Sequence, residues 1–188
     1  MSKSSTPPSN STLVLDAPAI ERALRRIAHE IIEGNPDISK VALVGIPLRG
    51  VELARHLAGL VTQFSGEAIF SGVVDVSMHR DDLHRHRIPP RVERTILPDD
   101  LEDKTIVLVD DVLYSGRTCR AAMDSISSFG RPARIQYAVL VDRGHRELPI
   151  RADYVGKNLP TAADERIHVR LEAVDGIADS VWMSRAEK

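Results

Sequence analysis

The feature that most constrains the fold is a continuous apolar run, residues 105–109, bounded on both sides by charged residues. An uninterrupted apolar run of this length indicates a strand covered on both faces, as in a parallel sheet flanked by helices. Residues 117–129 then show the helical spacing of apolar positions and stop at Gly130. Because strand and helix patterns alternate along the chain, the sequence predicts an α/β fold, an open and mostly parallel sheet flanked by helices.

The remaining elements follow from the same periodicities. Two helices are predicted, over residues 17–33, with Asp16 as N-cap, and over residues 51–64. Strands are predicted over residues 41–45, 68–77 and 134–141, and shorter strands over 153–155, 167–171 and 180–183. A turn is predicted at Asp175 and Gly176. Residues 78–104 are rich in charge and proline, which predicts a flexible loop. The polar residues 1–12 are predicted to be a disordered lead-in to a single domain, residues 13–188.

Composition excludes several classes of protein. A formal net charge of −2 gives no overall attraction to nucleic acid. No apolar run approaches the roughly 20 residues of a membrane span, and the polar amino terminus lacks the apolar core of a secretion signal. Cys119 is the single cysteine, which excludes an internal disulfide and favours a reducing, cytoplasmic location. We also expect Cys119 to be a buried structural residue, because helix periodicity places it near the buried side.

The residues after the apolar run have the composition of a sugar-phosphate site. The run delivers Asp110 and Asp111 to the carboxyl edge of the sheet, where open α/β folds bind ligands. Residues 115–118 then start a helix, whose free backbone amides and two hydroxyls suit a phosphate, and Gly116 permits close approach. The two carboxylates suit ribose hydroxyls and a magnesium ion, held directly or through water. The alternative is an acidic turn followed by an N-capped helix, which would not require two consecutive aspartates.

This segment resembles the signature of type I phosphoribosyltransferases. The resemblance implies that Asp110 and Asp111 hold the ribose hydroxyls and that residues 114–118 wrap the 5′-phosphate of phosphoribosyl pyrophosphate. In enzymes of that family that act on 6-oxopurines, an aspartate is usual at the position of Tyr114. Because a phenol cannot replace a carboxylate as a base near neutral pH, Tyr114 argues against hypoxanthine or guanine as the substrate.

A second loop, residues 44–50, follows the first core strand and precedes a helix. Its backbone amides and Arg49 suit a pyrophosphate, although a simple strand–turn–helix connection with a surface arginine is the alternative. A cis peptide is considered at Ile46–Pro47, since proline lowers its cost.

Most of the chain resembles the bifunctional pyrimidine operon regulatory protein/uracil phosphoribosyltransferase family. The residues that carry the resemblance are the segments 25–31, 78–83 and 140–158, together with the phosphate loop. It implies synthesis of UMP and pyrophosphate from uracil and phosphoribosyl pyrophosphate with Mg²⁺, in a homodimer or higher homo-oligomer. A Lys-Thr pair is common in the family where this chain has Pro47 and Leu48, so catalysis is expected to be weaker here.

The resemblance implies roles for individual residues. Arg80 would close over the pyrophosphate, and Arg49, Asp110 and Asp111 would complete the catalytic set. The residues implied to contact the nucleotide are Leu48, Arg49, Asp110, Asp111, Val112, Leu113, Tyr114, Ser115, Gly116, Arg117 and Thr118. A small hood, about residues 142–160, would read uracil, with Val141, Asp142, Arg143, Val155 and Gly156 around the base.

One face of the first predicted helix is basic. Arg22, Arg25, Arg26 and His29 have the i, i+3, i+4, i+7 spacing and so share one arc of the helix, opposite its apolar face. A solvated surface is the ordinary explanation. The family resemblance instead implies that Arg26, His29, His145, Arg151 and Lys157 form a concave dimer surface that binds an mRNA leader in a UMP-sensitive manner, by attenuation or at translation. An RNA-binding regulator with residual catalysis, and a phosphoribosyltransferase for another nucleobase, both remain as alternatives.

Two further features are given structural interpretations. His79, His84 and His86 lie near Asp81 and Asp82, but irregular spacing favours a solvated loop over a metal site. Trp182 is expected to be a packing residue.

Overall fold

The computed structural model describes residues 10–77 and 94–185. Its strands are β1 (Ser11–Leu15), β2 (Val41–Gly45), β3 (Phe70–Val73), β4 (Thr105–Leu113), β5 (Arg134–Asp142), β6 (Tyr154–Asn158), β7 (Glu165–Arg170) and β8 (Ser180–Arg185). Its α-helices are α1 (Ala17–Gly34), α2 (Arg49–Ser65), α3 (Arg117–Ser127) and the short α4 (Glu172–Asp175). Five strands form a wholly parallel sheet in the order β3-β2-β4-β5-β6. The predicted fold class is confirmed.

The apolar run of β4 is covered on both faces, as its sequence requires. Val107 and Val109 belong to the core that α1 and α2 form on one face of the sheet. Ile106 and Leu108 belong to the core on the opposite face, which includes Cys119 and Ala122 of α3. The central strand β4 therefore contributes side chains to the cores on both faces of the sheet, and Asp110 and Asp111 follow directly after these buried residues.

Helix α1 is capped at both ends by side chains. Asp16 is its N-cap and accepts a hydrogen bond from the backbone amide of Ala19 at 2.9 Å. The helix continues to Gly34, one residue beyond its predicted end, and Asn35 is its C-cap. The two N–H groups of the buried Asn35 side chain are shared among three acceptors, the carbonyl of Ile31, Oε1 of Gln136 and the hydroxyl of Tyr154. This network links the end of α1 to β5 and β6, and it satisfies polar groups that would be costly to bury alone.

Two glycines allow the turn between β2 and α2 to lie directly against β4. A Cβ at Gly45 would overlap the backbone of Val51, and a Cβ at Gly50 would overlap the carbonyl oxygen of Val109. The backbone amide of Ile46 donates to that same Val109 carbonyl at 2.9 Å. Helix α2 thus begins within backbone contact of the strand that carries Asp110.

The turn contains a cis peptide one residue later than considered from the sequence. The cis bond joins Pro47 and Leu48, so the expectation of a cis bond at Ile46–Pro47 was wrong. Helix α2 also begins two residues earlier than predicted, which places Arg49 on its first turn.

A separate three-stranded antiparallel sheet, in the order β1-β8-β7, is formed by both ends of the described chain. It corrects two predictions. Ser11 and Thr12, expected to be disordered, lie in β1 and pair with β8. Residues 154–158, expected in a small hood, form the edge strand β6 of the main sheet, so the smaller layer is the β1-β8-β7 sheet instead. Trp182 is half-buried in β8, opposite Leu13.

The small sheet lies against the carboxyl edge of the parallel sheet. Arg143, directly after β5, donates through Nη2 to the carbonyl of Glu165 at 2.9 Å. Arg49, at the start of α2, pairs with Asp175 of α4. Both connections bring residues from the end of the chain to the edge where the predicted phosphate loop lies.

The described part of the predicted flexible loop, residues 94–104, is packed against the sheet. Ile96 forms an antiparallel bridge with Val73, Thr95 accepts a hydrogen bond from the amide of Asp75, and Leu101 is buried. Leu97 and Leu101 of this part pack in the core of the α3 face, and a flexible loop over residues 78–104 stays a prediction. Within residues 10–77 and 94–185, no helix is long and apolar enough to cross a membrane.

Candidate active site

Strand β4 extends four residues beyond its predicted end, so that both aspartates lie within it. In the register with β5, Asp110 pairs with Val139 and Val112 pairs with Val141, and Asp111 between them has no paired residue. The side chain of Asp110 accepts hydrogen bonds from the amide of Asp111 at 2.9 Å and from the hydroxyl of Tyr137 at 3.3 Å. Asp111 is half-buried and accepts from the amide of Val112. The two carboxylates are therefore fixed by backbone and phenol donors at the carboxyl edge.

Asp110 is only 7% exposed, which has an electrostatic consequence. Burial, and then the neighbouring charge of Asp111, raise the pKa of the Asp110 carboxyl well above its usual range. Such a carboxyl destabilises the folded chain at neutral pH unless a ligand compensates. Acids with strongly perturbed pKa values occur often at functional sites.

The predicted phosphate loop, residues 114–118, begins α3. Gly116 has φ of 91° and is the N-cap, and the amide of Arg117 donates a long hydrogen bond of 3.4 Å to the hydroxyl of Ser115. The first amides of the helix, together with the hydroxyls of Ser115 and Thr118, form an arrangement that suits an anion. Beside the loop, burial raises the pKa of the Cys119 thiol to about 12, as expected for a structural cysteine.

Residues 143–150 pack on this loop through a dense set of hydrogen bonds. Arg146 donates to the carbonyls of Tyr114, Gly144 and Ile150 and pairs with Asp142. The carbonyl of Ser115 accepts from the amides of Glu147 and Leu148, at 3.0 and 3.1 Å. Arg117 pairs with Glu147 at 2.6 Å. The phosphate loop and residues 143–150 are consequently one bonded unit.

Tyr114 occupies the position where the family resemblance implies an aspartate in enzymes that act on 6-oxopurines, and it is 43% exposed. The guanidinium carbon of Arg143 lies 4.2 Å from the centroid of its ring, and the ring of His145 meets it edge-on at 6.1 Å. Arg143 is itself buried and donates to Thr161 and Glu165. Its guanidinium therefore links Tyr114 to the segment that leads into β7.

The five residues predicted around uracil fall into different environments. Val141 is fully buried in the core, and Arg143 lies under Tyr114. Asp142 and Val155 line a cleft of about 480 Å³, together with Gly144, Arg146, Arg151, Ala152, Asn158 and Pro160. The carbonyls of Val155 and Gly156 accept hydrogen bonds from Arg26 of α1, at 2.9 and 2.8 Å. The structure thus brings Asp142 and Val155 together and engages Gly156 with α1.

The loop predicted to bind pyrophosphate, residues 44–50, has one exposed and one ion-paired residue at its end. Leu48 is 57% exposed. The guanidinium of Arg49 is paired with the buried carboxylate of Asp175, at 2.9 Å from Nη2 and 3.1 Å from Nε. Arg49 lies at the carboxyl edge as predicted, but its partner could not be read from the sequence.

The predicted basic face of α1 is partly neutralised and partly packed. Arg26 pairs with Glu30, and Arg25 lies 3.7 Å from Glu21. The ring of His29 stacks on Phe64 of α2 at 4.3 Å, and Arg25 lies over the same ring. Arg22 is exposed.

The other predicted RNA contacts lie beyond β5. Nε2 of His145 is 2.6 Å from the carbonyl oxygen of Thr161, and His145 has a positive φ of 62°. Arg151 and Lys157 are exposed. Of the seven residues predicted for RNA, three are exposed cations, Arg22, Arg151 and Lys157. The other four, Arg25, Arg26, His29 and His145, contact other residues of the chain.

Sequence reasoning did not single out three residues that organise the site: Tyr137, Arg146 and Asp175. Tyr137 was one apolar residue of a buried strand, and Asp175 was part of an Asp-Gly turn. Arg146 was within the segment that carried the family resemblance, and its charge inside a Gly- and Pro-containing loop was the only local signal.

Several predicted residues lie outside the described ranges. They are Arg80, His79, His84, His86, Asp81 and Asp82. Among residues 10–77 and 94–185, no group of three or more His, Cys, Asp or Glu side chains is arranged to hold a metal ion.

A family model described as the phosphoribosyl transferase domain matches residues 10–174. The chain is 55% identical over 172 residues to the bifunctional protein PyrR of Chloroflexus aurantiacus, covering 92% of this chain and 94% of that protein. It is 54% identical over 163 residues to the bifunctional protein PyrR of Thermus aquaticus, covering 87% and 90%. These matches extend over nearly the whole of both sequences.

Solved structures share the fold at low sequence identity. The hypoxanthine phosphoribosyltransferase of Trypanosoma cruzi superposes with a TM-score of 0.67 at 17% identity, covering 94% of this chain and 97% of that one. A hypoxanthine-guanine phosphoribosyltransferase of Bacillus anthracis has a TM-score of 0.62 at 14% identity, covering 79% and 84%. At these identities the likeness establishes the fold alone.

Proposed function

Because the chain belongs to the phosphoribosyl transferase family, and within it to the bifunctional PyrR proteins, we propose that it transfers a phosphoribosyl group to uracil. The substrates are uracil and phosphoribosyl pyrophosphate, and the products are UMP and pyrophosphate. The observation that carries the proposal is the loop at the end of β4, where two carboxylates precede a helix amino terminus at the carboxyl edge of a parallel sheet. That edge is the ligand-binding edge of open α/β folds.

In this proposal, each part of the loop has one task. Asp110 and Asp111 bind the ribose hydroxyls, and residues 114–118 hold the 5′-phosphate through amides and hydroxyls. Arg49 and the backbone at Leu48 bind the pyrophosphate, and Arg80 closes over it. The transition state resembles an oxocarbenium ion, so that the protein acts by positioning and by charge stabilisation, without a covalent intermediate.

Magnesium fits the two carboxylates of the loop. Mg²⁺ keeps several waters and is bound by one or two carboxylates plus substrate phosphates, so a site with only Asp110 and Asp111 is sufficient. The ion would neutralise the charge of the pyrophosphate leaving group. Asp111, which is half-buried, is the more accessible of the two carboxylates.

Uracil is favoured over a 6-oxopurine by the residue at position 114. Tyr114 supplies no carboxylate to a purine ring, and its ring is held by Arg143. The cleft lined by Asp142 and Val155 adjoins the phosphate loop, because Arg146 lines the cleft and donates to the carbonyl of Tyr114. We propose that the base lies on this side of the loop.

The test is a panel of labelled bases incubated with the purified chain, Mg²⁺ and phosphoribosyl pyrophosphate. We expect labelled UMP from uracil and no nucleotide from hypoxanthine, guanine or orotate. Equal or greater conversion of one of the other bases would refute the assignment of the acceptor. Low turnover with the correct base would be consistent with the loss of an ammonium and a hydroxyl at Pro47 and Leu48.

A second function, binding of a pyrimidine-operon mRNA leader in a UMP-sensitive manner, is favoured by the exposed cations Arg22, Arg151 and Lys157. Exposed cations of this kind position an RNA backbone. The bonding of residues 143–150 to the phosphate loop supports the UMP sensitivity. A ligand at Ser115 or Arg117 would act directly on the segment that carries His145.

Filter-binding titrations with the leader hairpin test this second function. The variant pair Arg151→Ala and Lys157→Ala should weaken binding about 10-fold and reduce the salt slope by about 0.7 for each RNA phosphate that is no longer neutralised. Arg131→Ala, an exposed arginine before β5, removes the same charge elsewhere and should leave the affinity unchanged. Equal affinity for a scrambled hairpin, or no effect of UMP, would contradict an operon-specific regulator.

We further propose that the protein is a cytoplasmic homodimer or higher homo-oligomer. The buried and unpaired Cys119 is consistent with a reducing compartment. Dimerisation would join two basic surfaces into one RNA-binding site, which light scattering with and without RNA can test.

A further inference from the structure

Asp175 lies at the end of α4, in the connection between β7 and β8, yet its side chain contacts the pyrophosphate loop. Its carboxylate is 1% exposed and forms a two-point ion pair with Arg49, which is 28% exposed. The distances are 2.9 Å from Nη2 to Oδ1 and 3.1 Å from Nε to Oδ2. The two residues are 126 positions apart in the chain.

The carboxylate is itself held in place by other groups. The amide of Leu171 donates to Oδ2 at 3.0 Å, and Nη1 of Arg170 lies 3.7 Å from Oδ1. Although burial raises it, the hydrogen bonds from Arg49 and Leu171 hold the pKa of the Asp175 carboxyl below its usual range. Asp175 therefore remains a fixed anion between two guanidinium groups, and the three side chains together carry one net positive charge.

This pairing determines the orientation of Arg49. A guanidinium is planar, and a carboxylate that accepts from both Nε and Nη2 fixes the plane. Two of its five N–H groups are used by Asp175, and three remain, two on Nη1 and one on Nη2. These three donors are the ones that can meet a pyrophosphate oxygen.

We propose that Asp175 is a positioning residue that fixes the guanidinium of Arg49 for binding of the pyrophosphate group. The proposal rests on the proposed function, in which Arg49 contacts the pyrophosphate. It also gives the small sheet a role, because the sheet carries a residue that sets the geometry of a loop on the main sheet. The opposite role, a carboxylate that competes with pyrophosphate for Arg49, makes opposite predictions.

Steady-state kinetics of Asp175→Asn separate these roles. The amide keeps the shape of the carboxylate but can accept from Arg49 through one atom only. We expect the KM for phosphoribosyl pyrophosphate to rise at least 10-fold and the KM for uracil to change less than twofold. An unchanged or lowered KM for phosphoribosyl pyrophosphate would overturn the proposal, the lowered value being the signature of competition.

A double-mutant comparison shows whether Asp175 acts through Arg49. Adding Asp175→Asn to an Arg49→Lys variant should cause no further increase in the KM for phosphoribosyl pyrophosphate, since lysine cannot form the two-point pair. A full additional 10-fold increase would mean that Asp175 acts by another route, and would refute the proposal.

Asp179→Asn is the matched control. Asp179 accepts a hydrogen bond from the amide of Glu172 at the start of α4 and supports the same segment from outside. This variant should lower the unfolding temperature without changing either KM. If it raised the KM for phosphoribosyl pyrophosphate as much as Asp175→Asn, the effect would be structural and the positioning role would be refuted.

A second variant of Asp175 and a binding measurement without turnover test the positioning role independently of the kinetics of Asp175→Asn. If Asp175→Asn does not fold, Asp175→Glu retains both ion pairs but displaces the carboxylate, and an unchanged KM for phosphoribosyl pyrophosphate would then reject the proposal. Calorimetric binding of magnesium phosphoribosyl pyrophosphate without a base requires no turnover. Weaker binding to the Asp175 variants supports the positioning role even if uracil is the wrong acceptor, and equal binding contradicts it.

Discussion

Asp110→Asn is expected to raise the thermal unfolding midpoint and, at the same time, to lower phosphoribosyl transfer. The buried carboxyl has a raised pKa, so its ionisation destabilises the folded state at pH 7.5. Asparagine keeps the acceptor for the amide of Asp111 and can donate to the hydroxyl of Tyr137. A gain of about 1–2 kcal/mol is typical of relieving such a site, and corresponds to about 2–8 °C for a chain of this length. The loss of a charged interaction with the ribose should lower kcat/KM about 10- to 100-fold.

The stability gained by Asp110→Asn should depend on pH, in a direction set by the raised pKa of Asp110. The folded pKa is above the ordinary value of 3.8, so between the two values the folded state binds more protons and stability falls as pH rises. The gain from Asp110→Asn should therefore be absent below about pH 4 and increase towards neutral pH. Asp111→Asn is the companion variant: it should lose activity with a smaller gain in stability, because it removes a neighbouring charge but leaves Asp110 buried. A drop in the midpoint of Asp110→Asn at pH 7.5 would contradict the assignment.

Gly50→Ala is expected to have the largest effect on stability. The added Cβ would overlap the carbonyl oxygen of Val109 and lie 3.2 Å from Cα of Asp110, and both obstacles are backbone atoms. Helix α2 must then move away from β4, at a cost of about 2–3 kcal/mol, or about 4–12 °C in the unfolding midpoint. Because Arg49 and Asp110 are carried by the two displaced elements, kcat/KM should fall about 100-fold.

Gly59→Ala is the control for this substitution, since it makes the same change in the same helix. Gly59 is exposed and a Cβ there would meet nothing within 4 Å. It should stabilise the protein by about 1 kcal/mol through helix propensity, with unchanged kinetics. Scanning calorimetry of Gly50→Ala and Gly59→Ala measures the two unfolding midpoints. Similar midpoints would mean that the close approach of α2 to β4 does not constrain the fold.

The parallel sheet and the phosphate loop could be predicted because their signals are local. A continuous apolar run, a helix period and a Ser-Gly-Arg-Thr turn all lie within residues 105–129. The small sheet could not, because β1 pairs with β8 across nearly the whole chain, and the strand predicted over residues 180–183 gave no indication of its partner. The Asp-Gly turn at Asp175 was a correct local interpretation that concealed a long-range ion pair, since nothing near Asp175 in the sequence indicates Arg49.

The basic face of α1 shows how a correct periodicity can be incomplete. The spacing of Arg22, Arg25, Arg26 and His29 was predicted, but Glu21 and Glu30 lie four residues from Arg25 and Arg26, at the separation where helix ion pairs form. Phe64, which packs against Arg25 and His29, comes from α2 and could not be paired with them from sequence. The free charge of the face is therefore smaller than its composition suggests.

The measurement that tests the central claim most directly is ³¹P NMR of phosphoribosyl pyrophosphate and Mg²⁺ with the wild-type protein, followed with and without uracil. We predict that UMP and pyrophosphate appear together in equal amounts when uracil is added, and that neither appears with hypoxanthine or without a base. Release of pyrophosphate without a base, or a nucleotide formed only from hypoxanthine, would contradict the claim that the loop at the end of β4 serves transfer of phosphoribosyl to uracil.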